Sequence, residues 1–262
     1  MSHRPTLARI LDAIDGGEMC PHYQPIVSLE TGEVVAVEAL ARWDAPGTGP
    51  VPATAFVSVL ERSNRVSDLT AFMLDRACAD LAAWQRDRSL HSGFRVAVNV
   101  SATEIGDRRL AGLVHQALDT HEVAPGSLCL ELTETAPIGD LDAAGAVLAE
   151  LTTDIGVQLA ADDYGAGYTT GAVLGALPFD TVKIDRRFVT GLNRRRDHTA
   201  FVRATVGFAA HRSLSVVAEG VRDHRHAEAL LRAGCRLGQG FGDRKSTRLN
   251  SSHITISYAV FC

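Results

Sequence analysis

Acidic and amide side chains recur at the ends of short apolar runs in this chain: Glu38, Asn99, Glu131, Asp162, Asp163, Glu219 and Gln239, with Lys183 among them. The clearest case is the stretch 157–168, where an apolar run of strand length stops at Asp162 and Asp163 and then turns through Gly165 and Gly167. Adjacent carboxylates repel each other and share a strand end favourably when a cation lies between them. Glycines let such a loop turn tightly and let backbone approach a ligand closely. One Asp-Asp pair could equally be a polar turn; recurrence at successive strand ends makes the set a candidate site. Carboxylates with an amide oxygen form a hard, oxygen-rich centre suited to Mg²⁺ or Mn²⁺. With no His or Cys at these ends, zinc is disfavoured. Lys183 and Lys245 are the only lysines in a chain that uses arginine freely. A lysine placed in Val182-Lys-Ile-Asp185 therefore reads as chemistry rather than as a solvated surface charge.

The elements that must position these groups follow from periodicity. Helical apolar spacing occupies 6–15, and strands at 22–28 and 33–43 are joined by a Thr31-Gly32 hairpin signal. The second strand is expected to end around Glu38 and Arg42, followed by a loop over 46–52 and helices at 53–62 and about 67–88. Strand and helix then alternate. Strands are expected at 94–101 (ending at Asn99), 127–134, 157–162, 181–185, 215–220 and 235–241. Helices fall between them at 103–120, 140–154, 170–176, 186–211 (broken near 193–197) and 223–233. Near-continuous apolar strands alternating with amphipathic helices predict a parallel sheet covered by helices. About eight strands in one domain of this length favour a closed (β/α)₈ TIM-type barrel, its first strand antiparallel because of the hairpin. No G-x-G-x-x-G follows the first strand, which argues against a dinucleotide-binding open sheet.

Composition narrows the function classes. The net charge of −5 disfavours a non-specific DNA or RNA binder. No apolar run reaches the length of a membrane span, and the N-terminus shows no signal-peptide core. Five cysteines without C-x-x-C spacing read as reduced thiols of a cytoplasmic protein.

The ordered set of motifs resembles the EAL-domain family of bacterial cyclic di-GMP phosphodiesterases. It runs from Tyr23-Gln-Pro-Ile-Val27 through Glu38-Ala-Leu40, Arg42-Trp43, Asn99-Val-Ser101, Glu131-Leu-Thr-Glu134, Asp162-Asp-Tyr-Gly-Ala-Gly-Tyr168, Lys183-Ile-Asp185 and Ala218-Glu-Gly220 to Gln239-Gly-Phe241. The resemblance implies hydrolysis of cyclic di-GMP to linear pGpG with two Mg²⁺ or Mn²⁺ ions. Glu38, Asn99, Glu131 and Asp162 would hold one metal, and Asp162 would bridge to a second held with Asp163. Two such cations about 4 Å apart can flank an attacking hydroxide and neutralise the phosphate. Lys183 would bond the nucleophilic water or the phosphate, as a base or as a positioning charge, and Glu219 would orient the water. Gln24, Leu40, Arg42 and Gln239 would grip the substrate, Glu134 would anchor the loop after Asp163, and Asp185 would stand behind the metal ligands. The family also implies a homodimer, and sensory or cyclase domains in a longer chain.

Two departures from the family pattern stand out. The loop reads Asp163-Tyr-Gly-Ala-Gly-Tyr-Thr-Thr-Gly171, with Gly171 where the family carries a leucine that would pack the loop down, so a looser loop is expected. After Gly242 the composition changes: residues 244–262 hold three basic residues and no acid, and are rich in serine, threonine and isoleucine. That stretch reads as a non-native tail in place of the family's final helix, with the barrel domain spanning 1–243 (core about 20–242) and an apolar flank left uncovered beside the last strand. The alternative function, a cyclic di-GMP receptor or protein-interaction module of the same fold, usually goes with lost metal ligands or a lost lysine. Here every one is retained. A barrel hydrolase for another phosphodiester is disfavoured by Gln24, Arg42 and Gln239.

Overall fold

The amphipathic run at the N-terminus forms helix α1 (Leu7–Asp15), with Ile10, Ala13 and Ile14 buried and the Thr6 side chain accepting from the Arg9 N–H as its cap. The computed structural model describes residues 5–87, 90, 91, 93–133, 141–167, 170–192 and 195–240. Beyond α1 the hairpin forms as expected: β1 (Met19–Ser28) and β2 (Val34–Ala45) pair antiparallel, with Gln24 opposite Glu38 and His22 opposite Leu40.

The stretch 46–52 is not simply a loop. Gly49–Val51 form β3, an edge strand antiparallel to the end of β2, with Pro50 opposite Asp44. An edge position tolerates proline because the missing N–H need not serve a ladder bond. Helices α2 (Ala53–Arg62) and α3 (Val66–Arg86) follow, then β4 (Arg95–Ser101), which runs on past Asn99. The next helix, α4 (Arg109–His121), starts later than position 103. Turns closed by Glu104 N–H to Ser101 O and Asp107 N–H to Glu104 O occupy the intervening residues, and the Asp107 carboxylate accepts from the Arg109 N–H.

The alternation then proceeds as read. It comprises β5 (Leu128–Thr133), α5 (Leu141–Ala149) continued by a π-helical turn (Glu150–Ile155), β6 (Gln158–Tyr164) and α6 (Gly171–Ala176). Next come β7 (Thr181–Ile184), α7 (Arg186–Thr190), α8 (Arg196–His211), β8 (Ser215–Ala218), α9 (His224–Arg232) and β9 (Leu237–Gln239).

Strand order is β1-β9-β8-β7-β6-β5-β4-β2-β3, and the additional β1–β2 pairing closes the ring. Apart from the β3 extension this is an eight-stranded α/β barrel, with β1 antiparallel to both neighbours and the others parallel in series. The principal core lies between strands and helices, where Leu74, Leu81, Val96, Val98, Leu128, Leu130, Leu159 and Val182 are buried. The lower barrel interior is lean by contrast: Ala97, Cys129 and Ala160 cluster there beside a cavity of about 170 Å³. The expected tail at 244–262, and the helix it would replace, lie outside the described residues. No helix among the described residues is long and apolar enough to cross a membrane.

Candidate active site

Inward positions alternate along a barrel strand, so a step of two residues carries each strand from the lean layer to a polar one. Cys129 leads to Glu131 on β5, Ala160 to Asp162 on β6, Thr181 to Lys183 on β7 and Leu237 to Gln239 on β9. Glu38 corrects the sequence reading: it lies within β2, which continues to Ala45 because its upper half pairs with the start of β1, Met19 opposite Trp43, and with β3. The hairpin thus stands above the barrel mouth, and Glu38 is level with the mouth rather than at the strand's end.

Lys183 is the hub. Its ammonium, 1% exposed, lies 2.6 Å from Glu131 Oε2, 2.9 Å from Asp162 Oδ1, 2.9 Å from Glu219 Oε1 and 3.2 Å from Glu38 Oε2. An ammonium has three protons for these four carboxylates. The Lys183 hydrogen bonds go to Glu131 and Glu38, and the buried Oδ1 of Asp162, despite that separation, makes none among the described residues. Glu38 also accepts from Asn99 Nδ2 at 2.7 Å and from Gln239 Nε2 at 2.5 Å, while buried Gln239 Oε1 has no hydrogen-bond partner among the described residues.

The ionisations follow from crowding. Burial would pull Lys183 down, but Glu131, Glu38, Asp162 and Glu219 raise it well above its ordinary value, so it stays an ammonium. Glu38, despite burial, is held below the usual carboxylate range by the Lys183 charge and the bonds from Asn99 and Gln239. Glu131 goes the other way: burial, with Glu38 and Asp162 close by, lifts it well above its ordinary value. Burial also pushes Glu219 up to about 8 against the pull of Lys183. Asp163 is pushed up to about 6 by burial, then by the charges of Asp162 and Asp185.

Successive strand residues point to opposite faces, so Asp162 and Asp163 could not both serve one site on a regular strand. A bulge solves this. The β6–β7 register slips between Ala161 (opposite Val182) and Tyr164 (opposite Ile184), and Asp163 adopts a left-handed backbone at φ 52°. Behind the bulge, Tyr164 stacks on Phe201 at 5.7 Å, and Phe201 on Phe188 at 3.9 Å. Gly165, at φ 95°, passes under these rings so closely that a Cβ would lie 2.6 Å from both phenylalanines. Neither the bulge nor the stack was legible in the sequence.

Asp162, Asp163 and Glu219 each bring a carboxylate oxygen within 4.8 Å of the others, an arrangement that fits a divalent cation. The orphaned Asp162 and Gln239 oxygens, and carboxylates that burial and neighbouring acids hold above their usual range, fit one as well. Glu38 and Glu131 face Lys183 instead, and Asn99 reaches the group through Glu38.

Glu38, Asp162, Asp163 and Glu219 border a cavity of about 790 Å³ whose walls include Gln24, Leu40, Asp185 and Gln239, whereas Asn99 lines an adjoining cavity and Glu131 and Lys183 line the small one beneath. Arg42 is not among the walls of the main cavity. It lines the adjoining, largely apolar cavity of about 460 Å³ with Leu69 and Met73, and its guanidinium donates to Ala41 O. Leu40, Glu38 and Asp162 belong to both cavities. Asp185 caps α7 through the Arg187 N–H at 2.7 Å and pairs with the Arg187 side chain. Glu134 lies outside the described residues, as do Tyr168 and Thr169. Gly171 starts α6 behind a Thr170 cap, and no described atom lies within 4 Å of where its Cβ would stand. The sequence reading also missed Arg186 and Arg222 on the main cavity wall, because neither falls within a strand.

Comparison with known proteins agrees with this geometry. The sequence profile of the EAL domain matches residues 7–242. The bifunctional diguanylate cyclase/cyclic di-GMP phosphodiesterase MucR of Pseudomonas aeruginosa is 34% identical over 229 residues, covering 87% of this chain and 33% of MucR. The cyclic di-GMP phosphodiesterase NbdA of the same organism is 36% identical over 224 residues, covering 84% of this chain and 28% of NbdA. This chain thus spans about a third or less of the length of these relatives. The solved PaMucR phosphodiesterase in complex with c-di-GMP superposes with a TM-score of 0.82 at 34% identity, covering 90% of this chain and 94% of that one. The protein belongs to the EAL domain family.

Proposed function

We propose that this domain hydrolyses cyclic di-GMP to linear pGpG with two divalent cations, Mg²⁺ or Mn²⁺. The observation that carries the reading is the crowd of carboxylates around Lys183, of which Glu38, Asp162 and Glu219 open onto the main cavity, in a barrel whose relatives are named as cyclic di-GMP phosphodiesterases. Asp162, Asp163 and Glu219 would supply close-set oxygens for the cations, and Glu38, Asn99 and Glu131 would complete the ligand set as the family resemblance implies. Bound cations would supply Lewis acidity on the phosphate and lower the pKa of the attacking water.

The chain's own groups do the rest. Water adds to phosphorus, the bond to one 3′ oxygen breaks, and that oxygen takes up a proton as the 5′-phosphate is released. Lys183, held as an ammonium by its carboxylates, acts as a fixed positive charge that orients the phosphate or the water rather than as a base. Glu219 aligns the water through its carboxylate. Gln24, Leu40 and Gln239 hold the dinucleotide from the side of β1, β2 and β9, with Arg42 in the adjoining cavity.

The test is incubation with cyclic di-GMP and Mg²⁺ or Mn²⁺, separation of the nucleotides, and Glu38→Gln and Glu38→Ala as controls. Metal-dependent pGpG that vanishes in both controls is the expected result. Tight binding without turnover by the unaltered protein would overturn it in favour of a receptor.

A further inference from the structure

Two neighbouring arginines follow β7, and their surroundings differ. Arg187 pairs with Asp185 at 3.0 Å. Arg186 lines the main cavity and has no carboxylate partner among the described residues. Arg222, beyond β8, lines the same cavity and is likewise unpaired there. Its nearest sequence acid, Asp223, is committed to capping α9 through the His226 N–H at 3.0 Å and to the His226 ring at 3.1 Å. Other exposed arginines, such as Arg65, Arg109 and Arg195, sit in ion pairs with adjacent acids.

The wall that carries these two arginines is built tightly. Gly220, at φ 70°, comes so close to Arg186 that a Cβ on it would lie 2.7 Å from the Arg186 Cβ. The Val221 N–H, just before Arg222, donates to Gln239 O at 2.9 Å. Both guanidinium groups are therefore rooted in fixed backbone at the mouth. By strand order, β7 stands across the barrel from β2, the strand that carries Glu38 and Leu40.

The cavity also holds Glu38, Asp162, Asp163, Asp185, Glu219 and Asp223. Such a surface repels anions, and cations at its floor would neutralise only the phosphate placed there. A cyclic dinucleotide carries a second phosphodiester, which needs positive charge of its own on the wall. We propose that Arg186 and Arg222 form a station for the phosphate that is not cleaved. The inference rests on the reading of this cavity as a cyclic dinucleotide site.

The variants are Arg186→Gln, Arg222→Gln and the pair together, with Arg109→Gln as a control for lost charge elsewhere. Steady-state hydrolysis of cyclic di-GMP should show KM raised about tenfold by each single change, with kcat within about twofold and a weaker dependence of KM on salt. Calorimetry with GpG and with its methylphosphonate analogue then separates phosphate from base. Both ligands carry two guanines, and the internal linkage, which corresponds to the phosphodiester that is not cleaved, is charged only in GpG. The station requires the variants to weaken GpG and leave the neutral analogue as it is in the unaltered protein. Equal weakening of both ligands would place the arginines on a guanine edge and overturn the proposal. An unchanged KM, or a fall in kcat alone, would also overturn it. If the unaltered protein does not turn over cyclic di-GMP at all, the parent reading fails, and that outcome is visible before any variant is made.

Discussion

Cys129 and Glu131 both point into the barrel from β5, about 7 Å apart along the strand, yet their layers are held in different ways. Below, Ala97, Cys129 and Ala160 pack as small neutral groups beside a modest cavity and need no partners. Above, Glu38, Glu131, Asp162 and Lys183 are equally buried and hold one another by charge. The lower layer contributes little cohesion itself; the barrel is held from outside by the strand–helix core. What the lower layer supplies is room, so that long polar side chains above can settle without being pushed toward the mouth. In this barrel the polar layer is balanced electrostatically and the part beneath it sterically.

The sharpest way to break this contrast is Lys183→Met. Leaving Glu131, Glu38 and Asp162 buried without their counter-charge should abolish turnover and destabilise the metal-free protein by about 3–5 kcal/mol. Urea unfolding in the presence of a chelator reads the stability, and an unshifted midpoint would show that the upper layer is not charge-balanced by this lysine. Next in size is Ala160→Leu, which overfills the lower layer. It should cost about 1–3 kcal/mol and also reduce turnover, because the added volume lies directly under Asp162. A stability loss with full activity would mean that the two layers are uncoupled.

Acidity offers a third test. Glu219 at about 8 and Asp163 at about 6 lie above their ordinary values, so the folded, metal-free protein binds more protons than the unfolded chain between those values and the usual carboxylate range. Stability should therefore be greatest at low pH within that window and fall as pH rises through about 6 and then about 8. Mg²⁺ added at neutral pH should release protons into a weakly buffered solution, and uptake would contradict the assignment. The smallest effect is expected of Phe201→Ala, which removes the ring between Tyr164 and Phe188. Loss of the stacking itself is worth about 1 kcal/mol, and Mn²⁺ affinity measured by calorimetry should weaken severalfold because the Asp162–Asp163 bulge loses its backing.

The polar layer was legible because parallel strands buried on both faces read as apolar runs, against which Glu131, Asp162 and Lys183 are conspicuous. The scarcity of lysine singled out Lys183, and the hairpin signal gave the antiparallel first strand. What escaped depended on pairing. Glu38 reads as a strand end because nothing local reveals that β2 continues against β1 and β3. A proline-bounded segment conceals an edge strand such as β3. The bulge that turns two consecutive aspartates to one side exists only in the register between β6 and β7. Likewise Arg42 reads as a wall of the main site, whereas the hairpin's rise above the mouth carries it to the neighbouring cavity.

The seam between β1 and β9 has a kinetic consequence. Gln239 reaches Glu38 across 201 positions of sequence, and Lys183 reaches it across 145. Contacts of such separation form late, since the intervening chain must already be ordered before its ends can meet cheaply. A ribosome that has released the chain through β8 has made nearly every acid of the site and still has an open sheet, its β1 edge waiting for β9. Until that strand docks, mutually repelling carboxylates face solvent without the amide that helps hold Glu38 in place. Catalytic competence should therefore lag behind helix formation in refolding, and appear together with closure of the ring.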